Sequence, residues 1–184
     1  MNTGNFDTIA WDNTEAALEG TSKMFKMWYA KQGSGFCEVG YWTSNWEGNE
    51  NSRCPSCKKL NKRVDHLNQC TNKARTAVFM DQINLIEEWM ESTYTYPNLQ
   101  TWLILYLKKR NKTRFQDLEG IPNSMRSIAE EKDRIGWEHF VEGRMTKGIR
   151  DMQTMYMCNS GSVYTEHHWM RDFIRKLMVL THEQ

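Results

Sequence analysis

Cys54, Cys57, His66 and Cys70 stand at C-x2-C-x8-H-x3-C spacing in the stretch CPSCKKLNKRVDHLNQC. Three thiols and one imidazole are the donor set that closes a tetrahedral cage around zinc. The first pair suits a knuckle, with Pro55 and Ser56 as the bend residues between two turn thiolates. His66 and Cys70 are i, i+4 neighbours and share one face of a helix that begins near Asp65. A knuckle facing a helix start predicts a closed site. Four protein ligands leave no position for a substrate water, so the expected zinc is structural and the chain is expected not to be an enzyme.

Five cysteines are an odd number, and no apolar leader run opens the sequence. A disulfide framework is therefore disfavoured, and reduced thiols in an intracellular compartment, cytoplasmic or nuclear, are expected. Cys37 is a spare thiol with an expected core or loop role. Cys158, with Glu166, His167 and His168 nearby in sequence, lacks the glycine elbow and oxyanion signature of a thiol hydrolase. His139 and His182 stand alone.

The CPSC knuckle, the polar run behind it and HLNQC resemble the zinc-binding segment near the C-terminus of retroelement reverse-transcriptase polyproteins, where CPxCG, an acidic pair and HxLxC are usual. FCEVGYWTSNWEGNENSRC upstream is similar to the lead-in of that segment. IGWEHFVEGRMTKGIRDMQTMYM downstream resembles its IGW-x2-F-x2-G element and the amphipathic helix that follows. Lys58 departs from the pattern by replacing the glycine after the second cysteine, and Lys62 and Arg63 stand where the acidic pair would be. The resemblance implies a post-polymerase accessory region whose partners are RNA or DNA and a reverse-transcriptase core. Polymerase activity itself is excluded, because two-metal catalysis needs adjacent aspartates and no Asp-Asp pair occurs. The metal-dependent nuclease of some such elements is excluded too, since Asn98 and Asn123 follow Pro97 and Pro122 where an aspartate would be required.

The net charge of +1 carries no global argument for a polyanion or a membrane. Locally, Arg53, Lys58, Lys59, Lys62, Arg63, Lys73 and Arg75 crowd the zinc segment against Asp65 alone. Lys58, Lys59, Lys62 and Arg63 are the candidate contacts to a nucleic-acid backbone. Lys108, Lys109, Arg110, Lys112 and Arg114 form a second cluster, read as complementing a helix C-terminus. Tyr41, Trp42 and Trp46 are candidate stacking residues, although most of the eight Trp and twelve Met are expected in packing. A competing expectation is a protein-interaction scaffold that docks a partner on Trp and Met faces, with the zinc only a staple.

Periodicity predicts a mainly α fold, a helical bundle carrying a small loop-rich zinc knuckle. An N-terminal helical segment is expected over 1–33, a zinc-binding segment over 34–72 and a bundle over 73–184, together one compact unit. The expected helices span 14–31, with a break at Gly20 and Leu18, Met24, Phe25 and Trp28 inward; then His66 to about Thr93, with Leu67, Cys70, Ala74, Ala77, Val78, Leu85, Ile86 and Trp89 on one stripe. Next come the helix after Pro97, taken as the core element; 124–143; 146–158, with Ile149, Met152, Met155 and Tyr156 at helical spacing; and 164–182. Loops with one small hairpin are expected over 34–64.

Overall fold

A helix starting at Pro97 is written into the chain: proline at the first helical position has no N–H to waste, and Leu99, Trp102, Leu103, Tyr106 and Leu107 follow at helical spacing. All five are buried in the computed structural model, which describes residues 3–35, 53–59, 64–160 and 165–184. The helices are α1 Thr3–Phe6, α2 Trp11–Leu18, α3 Lys23–Ser34, α4 Val64–Gln69, α5 Lys73–Ser92, α6 Pro97–Lys109, α7 Arg126–Ile135, α8 Trp137–Val141, α9 Lys147–Ser160 and α10 Glu166–His182. Two short 3-10 turns, Phe115–Asp117 and Asn123–Met125, bridge α6 to α7 where a connector is expected. The fold is mainly α, and the one β feature among the described residues is an isolated antiparallel bridge between Ile9 and Thr146. None of the described helices is long and apolar enough to cross a membrane.

The centre of the bundle is α10 rather than α6. It packs against α2, α5, α8 and α9 and buries Trp169, Met170, Phe173, Ile174, Leu177, Met178 and Leu180. Trp169 and Phe173 stack, and the Trp169 indole N–H donates to Thr95 Oγ1 at 2.8 Å, which satisfies a polar atom in the middle of the core. The N-terminal helices join through α10 as well. Arg175 donates to the carbonyls of Ala17 and Glu19 at 2.9 and 2.7 Å, capping the open end of α2.

Three expected helices are interrupted. The N-terminal one divides at the expected Gly20 break, after Leu18, then resumes under a Ser22 cap and runs to Ser34; Met24 on it is 73% exposed rather than inward. The 124–143 helix breaks at Gly136, whose φ of 86° is open to glycine alone at low cost. Gly143 ends the next turn, and a Cβ there would lie 2.9 Å from Ile174 Cγ2, so the missing side chain lets α8 close on α10.

The third break matters most for the site. The helix expected from His66 to Thr93 stops at Gln69 and restarts at Lys73. Its restart rotates the buried face to Phe79, Ile83, Ile86 and Met90, and leaves Ala74, Ala77, Val78 and Leu85 exposed. A stripe counted from Cys70 fails because three residues outside the helix reset the phase. Met155 on α9 is likewise 70% exposed, not inward.

Candidate metal centre

The knuckle is a closed backbone turn. The Cys54 N–H donates to the Lys59 carbonyl, and the Lys58 N–H donates to the Cys54 carbonyl, both at 2.8 Å. This folds Cys57 back toward Cys54 and puts Lys58 at φ 64°, in the left-handed region. Lys58 thus stands where the turn demands a glycine-like conformation.

Opposite the knuckle, α4 presents His66 from its first turn and Cys70 one residue past its end. The ligand atoms of Cys54, Cys57, His66 and Cys70 all lie within 4.8 Å of one another. Cys54 Sγ is 3.9 Å from Cys70 Sγ, and Cys57 Sγ is 3.2 Å from His66 Nε2. A tetrahedral ion with metal–sulfur bonds of about 2.3 Å has sulfur–sulfur edges of about 3.8 Å, so the cluster has the dimensions of a four-ligand cage. These residues can bind a metal ion, and Cys54 and Cys70 are each only 1% exposed.

The thiols are unequal before any metal arrives. Burial pushes the Cys54 thiol up, but the backbone N–H groups of Cys57 and Ser56, together with His66 and Cys57 side chains, pull it down to about 6. Burial raises the Cys70 thiol, the Asn72 backbone N–H opposes that shift, and the neighbouring Cys57 and Cys54 sulfurs add to the rise. Negative charge is favoured at Cys54 over Cys70, and binding of an ion would release the remaining thiol protons to solvent.

Side chains outside the ligand set hold both halves in register. Asn72 Oδ1 accepts from the N–H groups of Ala74 and Arg75 at 3.0 and 3.3 Å and so caps α5, while its Nδ2 donates to the Ser56 carbonyl at 3.1 Å. Arg75 Nε donates to Ser56 Oγ at 3.0 Å. From the end of α6 Arg110 enters: Nε donates to the Asn68 carbonyl at 2.8 Å, Nη2 to the Cys70 carbonyl at 2.9 Å and Nη1 to Thr76 Oγ1 at 3.1 Å, with the guanidinium 4.8 Å above the Phe79 ring. These bonds claim the carbonyls freed where α4 ends, and so explain why the helix stops there.

No family model, curated protein or solved structure matches this chain. The site must be read from its own residues.

The four sequence-predicted ligands are brought together. Of the candidate phosphate contacts, Lys58 and Lys59 are exposed on the knuckle, and Lys58 Nζ also reaches the Pro55 carbonyl at 2.8 Å. Lys62 and Arg63 lie outside the described residues, as do Cys37, Tyr41, Trp42 and Trp46 and the expected hairpin. The scattered histidines are engaged locally: His167 Nδ1 is 2.9 Å from Asn13 Nδ2, His139 contacts Glu142 and Arg144, and His182 packs edge-on against Trp28. Cys158 is exposed on α9.

Asn72 and Arg110 are the positioning residues that sequence reasoning missed. Asn72 had a signal, a good N-cap residue directly before a helical pattern. Arg110 had none, because forty positions separate it from Cys70.

Proposed function

We propose that this chain is a zinc-stabilised nucleic-acid-binding accessory domain. The observation that carries the reading is the knuckle itself: a four-donor cluster fixes a turn on which Lys58 and Lys59 stand exposed. Three sulfurs and one imidazole nitrogen within 4.8 Å of one another favour zinc, which accepts this mixed set in a four-coordinate site. With every ligand supplied by the chain, the ion holds structure and presents cations rather than activating water. Lys62 and Arg63 follow in sequence between knuckle and α4 and would extend the same basic collar. Contacts of lysine to phosphate give salt-sensitive binding with weak sequence preference. The resemblance of CPSC and HLNQC to the post-polymerase zinc segment of retroelement reverse transcriptases supports the same assignment and points to a polymerase core as a protein partner.

The test is charge reversal of Lys58, Lys59, Lys62 and Arg63 to Glu together, with binding to RNA and DNA oligonucleotides followed by fluorescence anisotropy. Metal content and helical circular dichroism serve as controls. Binding should be lost with both controls intact. Retention of wild-type affinity would sink the reading.

A second reading, a helical protein-interaction scaffold, is favoured by Met24 and Met27 on α3, which are 73% and 47% exposed. It gains if the native chain shows no affinity for either nucleic acid while Met24→Lys abolishes capture of a reverse-transcriptase core.

A further inference from the structure

The end of α6 carries a second basic loop. Arg110 and Asn111 both take left-handed conformations, at φ 48° and 64°, so the chain turns sharply as the helix ends. The Lys112 N–H closes that turn on the Lys109 carbonyl at 3.0 Å. Asn111, Lys112, Thr113 and Arg114 then line a cavity of about 260 Å³, with Asp133 and Trp137 among its other walls. Lys112 and Arg114 are exposed, and among the described residues neither carries an ion pair.

The carboxylate in the lining forms no ion pair with either of them. Asp133 has both oxygens committed: Oδ1 accepts the Phe115 N–H at 2.7 Å and Oδ2 the Gln116 N–H at 2.9 Å. Trp137 adds a buried indole N–H that finds no acceptor. The lining therefore holds two exposed cations against one carboxylate, with the neutral donors Asn111 before Lys112 and Thr113 between Lys112 and Arg114 in sequence. That is the composition of an anion site. Its place in the fold is also informative. Arg110, the residue before the loop, is clamped on the Asn68 and Cys70 carbonyls, so the loop is tied directly to the metal centre.

We infer that this cavity is a phosphate seat, in which Lys112 and Arg114 supply charge and Asn111 and Thr113 hydrogen bonds. Its two sources of phosphate are a nucleic-acid backbone and a small phosphate compound. The first source rests on the proposed function; the seat itself does not.

The experiment follows backbone amide NMR shifts of the metal-loaded protein titrated separately with pyrophosphate and with a single-stranded oligonucleotide, for the native chain and for K112Q/R114Q. Pyrophosphate should shift the amides of Asn111 to Arg114 saturably, and the variant should lose the response while keeping its metal. If the oligonucleotide shifts both this loop and Cys54 to Lys59, the seat takes a backbone phosphate. The variant's slope of log affinity against log salt should then fall by about 1 to 2, as two phosphate contacts vanish. If the oligonucleotide shifts only Cys54 to Lys59, the nucleic-acid reading stands and the seat belongs to a small phosphate compound. If it shifts neither while pyrophosphate still binds, the proposed function fails and the seat survives. Absence of any response of the loop to either ligand overturns the inference.

Discussion

Arg110 Nη2 donates to the carbonyl of Cys70 at 2.9 Å, across forty residues of chain. The bond joins the C-terminal end of α6 to a member of the four-donor cluster, and it is one of three that the same guanidinium makes around the end of α4. Burial lowers the Arg110 pKa and the neighbouring Cys70 thiolate opposes that shift, which places the cation in a partly dry site against developing negative charge.

Arg110→Met should accordingly cost about 2 to 3 kcal/mol, because it strips charge-assisted donors from buried carbonyls while keeping the packing on Phe79. Thermal unfolding of metal-loaded protein measures the loss. A loss confined to the loaded form would locate the clamp's effect at the metal centre; an equal loss after chelation would assign it to the bundle.

Removing a ligand should separate the knuckle from the core. In Cys70→Ala, one equivalent of metal per chain should be lost, and amide exchange should accelerate over 53–59 and 64–70. Leu99 to Leu107 should stay protected, since their burial does not depend on the four ligands. Fast exchange throughout would show instead that metal and bundle fold as one unit.

Lys58 holds φ 64°, a conformation that costs an L-residue about 1 to 2 kcal/mol, whereas glycine adopts it freely at an unfolded-state entropy cost of about 0.5 to 1 kcal/mol. Lys58→Gly should therefore strengthen metal retention against a competing chelator by a few-fold. The same change removes a proposed phosphate contact. Tighter metal with weaker oligonucleotide binding is the expected pair of results.

Lys132 is fully buried on α7, where Nζ donates to Tyr106 Oη at 2.9 Å and sits 4.0 Å and 4.7 Å from the Tyr106 and Phe140 ring centres. Burial lowers its pKa from 10.5 to about 7, with Asp133 opposing the shift. The unfolded chain then binds the proton more strongly than the folded one between these values, so this group's contribution to stability grows as pH rises from about 7 toward 10.5. Lys132→Met should be more stable relative to the native chain at about pH 6 than at about pH 9. A stability difference that does not change with pH would refute this.

Part of this fold and of its site was legible in the sequence. The ligand set was, because C-x2-C and H-x3-C are local spacings: a tight turn and one helical turn are enough to converge each pair. The helices after Pro97 and after Thr165 were, because their caps and apolar periods agree. The stripe through Leu67, Cys70, Ala74 and Ala77 was not, since periodicity assumes an unbroken helix and the carbonyls freed at the break are satisfied by Arg110, a residue far along the chain.

By itself, then, the sequence determined a helical chain and the chemistry of one four-donor cluster, both set by interactions that span a few residues. Tertiary structure alone decided that α10 is the hub, that the buried face of α5 is rotated to Phe79 and Ile83, and that the end of α6 is tied to the Cys70 turn through Arg110. The physical reason is the same in each case. A buried carbonyl, a close approach such as Gly143 on Ile174, or a cation seeking oxygen is satisfied by whatever the fold brings near, and nearness across forty residues is not written in any local pattern.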